Sequence, residues 1–194
     1  MIEAAVLLAG GKSQRMGQDK SRLPFGAEPL AARVYRTLAE VFPQVVVVTN
    51  QPDFPVPDAF CISDRFPGNG PLEGLVSAFE AIDADRVLLV ACDMPFLQPD
   101  LLRALANEPD DADVIAPRTP RFREPLLAIY SRRLLPVLRE RLGAGDCRVC
   151  GLIDDVNHRE IGPEALRQHD PELRSFWNLN RPEDYEQALE LLNR

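Results

Sequence analysis

Val6-Leu7-Leu8-Ala9-Gly10-Gly11-Lys12-Ser13-Gln14-Arg15-Met16-Gly17-Gln18-Asp19-Lys20 decides how the rest of this chain is read. The apolar lead-in predicts a buried strand over 4–8. The loop after it carries three glycines, two lysines and an arginine. Residues without Cβ leave their backbone N–H groups accessible. Strand, glycine loop and fixed cations together make a cradle for a polyphosphate. Lys12 and Lys20 are the only lysines in the chain. A sequence that otherwise uses arginine keeps lysine where a compact, mobile ammonium is wanted.

Two familiar phosphate loops are excluded by spacing. A Walker A loop needs a glycine five residues before its Gly-Lys-Ser, and that place holds Val6. The dinucleotide pattern GxGxxG fails because Lys12 stands at its second glycine.

Working outward, strands and helices alternate. Apolar residues recur at helical spacing over 29–41, at Leu30, Val34, Leu38 and Val41. Val45-Val46-Val47-Val48 is a β-branched run suited to a central parallel strand covered on both faces. It ends at Asn50. A short strand over 60–63 runs into Asp64. A second glycine loop, Gly68-Asn69-Gly70-Pro71-Leu72-Glu73-Gly74, opens a helix to about residue 82. The buried strand 86–91 delivers Cys92-Asp93-Met94-Pro95 at its carboxyl end. Further elements are a helix over 99–107, a strand over 114–116 and a strand over 125–130. The proline makes this last strand a candidate for an antiparallel or edge position. Then follow a helix over 131–142, a strand over 156–161 and an amphipathic helix after Pro182. This alternation predicts an α/β doubly wound domain occupying 1–194.

Composition narrows the function. The formal net charge is −8, which excludes a general binder of nucleic acid or anionic membrane. Any triphosphate site must make its positive charge locally, as the first loop does. No apolar stretch approaches membrane-spanning length, and Met1-Ile2-Glu3 does not open a signal peptide. The expected compartment is the cytoplasm, where the four cysteines stay reduced. Cys147-Arg148-Val149-Cys150 has no second pair at zinc spacing and is read as incidental. His158 and His169 are isolated and read as surface or structural residues.

The stretch from Leu8 to Lys20 resembles the LAGGxSxRMGxDK signature of the nucleotidyltransferases of molybdenum cofactor maturation, above all the guanylyltransferases among them. Three later segments fit the same pattern: Asp64 with Gly70-Pro71-Leu72-x-Gly74, Cys92-Asp93-x-Pro95, and Asn178-Leu179-Asn180-x-Pro182-Glu183-Asp184. The resemblance implies a Rossmann-like, mixed but mostly parallel sheet of about seven strands with helices on both faces. It implies transfer of GMP from GTP to the terminal phosphate of molybdopterin with release of pyrophosphate, and Mg²⁺ as cofactor. A molybdoenzyme or its chaperone is the implied partner. Leu8, Ala9, Gly10, Gly11, Lys20, Asn50, Asp64 and Asp93 correspond to the nucleotide site. Asp93 is the implied Mg²⁺ ligand, Arg15, Lys20 and Asp93 the catalytic set, and Asn178 and Asn180 the metal or acceptor region.

Charge supports these roles. Nucleotidyl transfer joins two anions, so catalysis is mostly positioning and neutralisation. Asp93 leaves a buried strand before a proline and offers a hard cation its oxygen. Asp64, Asn50, Asn178 and Asn180 can equally be strand-end or capping residues. The sequence departs from the family at Glu73, where Ala is common, and at Glu124, where relatives read His or Gln before the proline. Other readings with the same loop are cytidylyl transfer to molybdopterin, transfer to a sugar or isoprenoid phosphate, and a non-catalytic cofactor carrier.

Overall fold

A computed structural model describes residues 1–10, 19–51, 53–66 and 68–192. Its strands are β1 (Ala4–Leu8), β2 (Pro24–Phe25), β3 (Glu28–Pro29), β4 (Gln44–Val48), β5 (Phe60–Ile62), β6 (Arg86–Ala91), β7 (Val114–Pro117), β8 (Leu127–Ser131) and β9 (His158–Ile161). Its helices are α1 (Leu30–Ala39), α2 (Pro71–Ala81), α3 (Pro99–Ala106), α4 (Leu135–Gly143), α5 (Val149–Asp155), α6 (Pro163–Leu166) and α7 (Pro182–Leu192). Seven strands make one sheet in the order β5-β4-β1-β6-β8-β7-β9. β2 and β3 form a small hairpin around Gly26, whose φ of 71° lies in the left-handed region.

The strand alternation sorts the core into two faces. Ala5 and Leu7 of β1, Val45 and Val47 of β4, and Leu88 and Val90 of β6 pack with Val34 and Leu38 of α1 and with Leu101 and Leu105 of α3. Their neighbours Ala4, Val6, Val46, Val48, Val87 and Leu89 pack with α2, with Leu138 of α4 and with Leu152 and Ile153 of α5. Both faces are therefore dry, which is why the strands read as apolar runs. Leu179 and Ala188 join Leu23, Phe25, Leu30 and Phe96 in a third cluster that docks the C-terminal helix against the hairpin.

The sheet is mixed as expected, and β8 is its antiparallel member. The 118–126 connection is too short for the helical crossover that a parallel return needs. β8 is not at an edge, however. It lies between β6 and β7. Pro125 precedes the strand and removes no bond from its ladder.

Two expectations shift. The helix expected over 131–142 opens as a 3-10 turn, Arg132–Leu134, before α4. The strand expected from 156 starts at His158, because α5 occupies the residues before it. Helix α5 depends on tertiary contacts. Arg141 reaches Asp146 and Asp155 at 2.6 Å each, and it does so over Gly151, where a Cβ would lie 2.9 Å from its Nη2.

Tyr130 is fully buried in β8, and its hydroxyl donates to the Pro125 carbonyl at 2.8 Å. That bond pins the turn that carries Glu124. Tyr130→Phe should lower unfolding free energy by about 1 kcal/mol, read as a lower urea midpoint at unchanged slope.

Candidate active site

β1 and β6 pair in parallel with Leu8 facing Ala91. The strand order reverses at this pair, since β4 and β5 lie to one side and β8, β7 and β9 to the other. A crevice forms outside the strands' carboxyl ends at such a point. Here it is a cleft of ≈ 210 Å³ whose walls include Leu8, Ala9, Gly10, Lys20, Cys92 and Asp93.

Backbone bonds extend the strand ends into the cleft. Cys92 N donates to the Leu8 carbonyl at 3.1 Å, and Ala9 N donates to the Val48 carbonyl at 2.9 Å. Lys20 opens the 3-10 turn Lys20–Arg22, which Asp19 caps by accepting from Ser21 N at 3.0 Å. The turn aims the Lys20 ammonium at Asp93. Nζ lies 2.8 Å from Asp93 Oδ2, with only 15% and 17% of the two side chains exposed. Nζ also donates to Asn180 Oδ1 at 3.3 Å. Leu179 N donates to the Asp93 carbonyl at 2.9 Å, tying the Asn178-Leu179-Asn180 segment to the end of β6.

Asn50 and Asp64 stand at the next two strand ends. Asp64 N donates to Asn50 Oδ1 at 3.1 Å, and Asn50 Nδ2 lies 3.4 Å from Asp64 Oδ2. Gly74 brings this pair to the cleft. A Cβ there would sit 2.7 Å from Leu8 Cδ2 and 3.6 Å from Asp64 Oδ1. Asp64 Oδ1 is shielded and has no hydrogen-bond partner among the described residues. Burial first, then the Glu73 carboxylate, raises the Asp64 pKa, against the Asn50 bond. The Cys92 thiol is pushed up to about 12 by burial and by Asp93, so it stays protonated and inert at neutral pH.

Leu8, Ala9, Gly10, Lys20 and Asp93 thus share one cleft, Asn180 joins through Lys20, and Asn50 with Asp64 adjoins through Gly74. Gly11 and Arg15 lie outside the described residues. Asn178 faces elsewhere: its Nδ2 donates to Glu124 Oε2 at 2.9 Å, and the residue lines a different cavity. Glu124 stands out in the sequence as a departure from the family, but its burial and its bond to Asn178 emerge only from the fold. It is 3% exposed, and its only signal was an acidic residue in place of His or Gln. The cysteine pair straddles the start of α5, and all four thiols are free. Among the described residues no helix is long and apolar enough to cross a membrane.

Comparison with known proteins agrees with this fold. The family model of the MobA-like NTP transferase domain matches residues 5–156. A probable molybdenum cofactor guanylyltransferase of Chloroflexus aggregans is 36% identical, the match covering 95% of this chain and 92% of that one. A probable molybdenum cofactor guanylyltransferase of Pelotomaculum thermopropionicum is 34% identical over 97% and 93%. Among solved structures, the molybdopterin-guanine dinucleotide biosynthesis protein A of Archaeoglobus fulgidus superposes with a TM-score of 0.86 at 26% identity, over 98% of both chains.

The folded-state pKa of Asp64 lies above its unfolded value, so ionising this group works against folding. The penalty is full above the folded pKa and vanishes below the unfolded value near 3.9. Asp64→Asn should therefore raise the urea midpoint relative to wild type at pH 7. The gap should close below about pH 4.

Proposed function

The chain belongs to the family of MobA-like NTP transferase domains, and from that premise we propose that it transfers GMP from GTP to the terminal phosphate of molybdopterin. A phosphate oxygen of the acceptor attacks the α-phosphorus. The bond from that phosphorus to the α–β bridging oxygen breaks, and pyrophosphate leaves with the oxygen and its electron pair. The observation that carries this reading is the Lys20–Asp93 pair, set at the sheet's reversal point and largely shielded from water.

Such a pair is a poor source of stability, since desolvation offsets its attraction. It makes sense as a charge store. Lys20 neutralises Asp93 in the free protein and is within reach of the cleft's phosphates once substrate enters. Leu8, Ala9, Gly10 and Gly11 hold the nucleotide along the loop, with Asn50 and Asp64 on its flank. Arg15 and Lys20 take the charge of the triphosphate and of the leaving pyrophosphate.

The donor set fits Mg²⁺. Among the described residues no group of three or more His, Cys, Asp or Glu could cage a metal. Mg²⁺ does not need one, because it binds to one or two carboxylates plus substrate phosphates. Asp93 would hold the ion with the Asn180 amide oxygen near. Bound there, it supplies Lewis-acid neutralisation of phosphate oxygens. The product then passes to a molybdoenzyme or its chaperone in the cytoplasm.

Pyrophosphate release with GTP or CTP, with and without molybdopterin and Mg²⁺, tests the reading. Turnover should require GTP, the acceptor and the metal together. Turnover with CTP alone would overturn the base, and turnover with a sugar or isoprenoid phosphate the acceptor. Asp93→Asn should fold normally and lose about a hundredfold or more in kcat/KM. Cofactor delivery that survives this substitution would make the protein a carrier.

A further inference from the structure

The two substrates need separate room. The catalytic cleft is ≈ 210 Å³, below the roughly 300–1,000 Å³ usual for one small molecule. The body of a second substrate therefore lies beyond it. Asn50 and Asp64, the nucleotide flank, follow β4 and β5 on one side of the β1–β6 pair. The side left open belongs to β8, β7 and β9.

A cavity of ≈ 650 Å³ stands at that rim. Thr119 to Phe122, just past the carboxyl end of β7, line one wall, and residues between Leu173 and Asn178 line another. Buried side chains fix both walls. Thr119, 8% exposed, accepts the Arg121 and Phe122 amides on its hydroxyl oxygen at 3.2 and 3.1 Å. Asp170, 2% exposed, accepts from Arg174 N and Ser175 N at 3.0 and 2.8 Å. The cavity adjoins the reacting centre, since Asn178 precedes Leu179, whose N–H donates to the Asp93 carbonyl.

The walls present cations and rings. Arg121 and Arg167 line the cavity, and both are exposed. Among the described residues neither guanidinium has a carboxylate or carbonyl partner, although Arg118 and Arg123 on the same connection both pair with Glu160. The cavity's own acids are committed. Glu172 pairs with Arg174 at 2.6 Å, and Asp184 accepts from Asn180 N and Arg181 N at 3.0 and 2.9 Å. Phe122, 41% exposed, and the half-buried Trp177 line the same space. In a chain of net charge −8, uncommitted guanidiniums beside accessible rings suit a flat anion.

We propose that this cavity receives the body of the acceptor substrate, a flat heterocyclic anion. Arg121 and Arg167 meet its charged group, Trp177 and Phe122 pack on its rings, and its phosphate reaches the cleft. This rests on the reading above, in which the acceptor is molybdopterin, a pterin whose dithiolene carries negative charge in addition to the phosphate.

Trp177 is the chain's only tryptophan, so its fluorescence reports on the cavity without any turnover. Molybdopterin titrated into wild type should quench it saturably, and GTP should not. Arg121→Gln and Arg167→Gln should each weaken that binding about tenfold, the worth of one charge-assisted hydrogen bond. In the transfer assay each should raise the molybdopterin KM by a similar factor. The GTP KM, and kcat at saturating acceptor, should stay within about twofold. Both side chains are exposed, so the fold does not depend on them.

Trp177 fluorescence indifferent to molybdopterin would overturn the proposal. So would an unaltered molybdopterin affinity in either variant, or a parallel rise in the KM of both substrates. A wild type that is quenched by molybdopterin but transfers no GMP to it defeats the functional reading and keeps the cavity assignment. One that transfers GMP with Trp177 unquenched does the reverse.

Discussion

Parallel pairing of β1 with β6 is the constraint from which the rest of the site follows. Leu8 opposes Ala91, so the loop after one strand and Asp93 after the other leave the sheet side by side. Apolarity alone does not fix that register. Both faces of these strands are buried, so a slip by one residue exchanges one dry face for the other and exposes nothing. Volume and backbone bonds decide instead. The face that meets α2 carries Ala4 and Val6, the face that meets α1 and α3 carries Ala5 and Leu7, and close packing does not accept them interchanged. At the strand ends, Ile2 N donates to the Ala106 carbonyl and Cys92 N to the Leu8 carbonyl. A slip would break these bonds and separate Lys20 from Asp93 by about one residue's rise, roughly 3.3 Å.

The parts of the fold that were legible are those where local pattern and tertiary environment agree. β4 and β6 are β-branched or leucine runs in a doubly covered sheet, and α1 buries Leu30, Val34 and Leu38 along one stripe. Where the two disagree, the sequence misleads. Helix α5 begins Val149-Cys150-Gly151, which is poor helix material. It exists because Leu152 and Ile153 reach the core and Arg141 clasps its ends. β2 and β3 are too short to show any period at all.

The site divides in the same way. Lys20 and Asp93 were legible because each ends a pattern of glycines or apolar residues that has its own physical purpose. Their ion pair was not, because 73 residues separate them along the chain. Glu124 was legible only as a departure. That a carboxylate is 3% exposed, and which amide it fixes, depends on how β8 enters the sheet. Asn178 and Asn180 look equivalent on paper. In the fold one faces Glu124 and the other Lys20, since alternate residues of an extended segment need not keep the same surroundings once one neighbour is anchored to Asp93.

The distribution of unfavourable placements separates function from scaffolding. Among the described residues, four buried side-chain atoms lack a hydrogen-bond partner, and two of them are Asp64 Oδ1 and Asn178 Oδ1. Both belong to the carboxyl-end rim of the sheet. Two carboxyls near that rim, Asp64 and Glu124, have pKa values raised first by burial. At the other end of the sheet the charged groups are satisfied by the scaffold: Arg86 donates to the Glu108 and Pro109 carbonyls, and Arg133 pairs with Asp110 and Asp113. A chain folding for stability alone would have no reason to gather strained acceptors and a shielded ion pair on one edge. Titrations shift at the far end as well, but there ion pairing favours the charged form, as the Arg133 bond does in lowering the Asp110 pKa, whereas at the rim burial works against it. In an acidic molecule, that edge is also where Lys20 stands against Asp93. The asymmetry between the two ends of one sheet therefore argues for the site on physical grounds that do not depend on any motif.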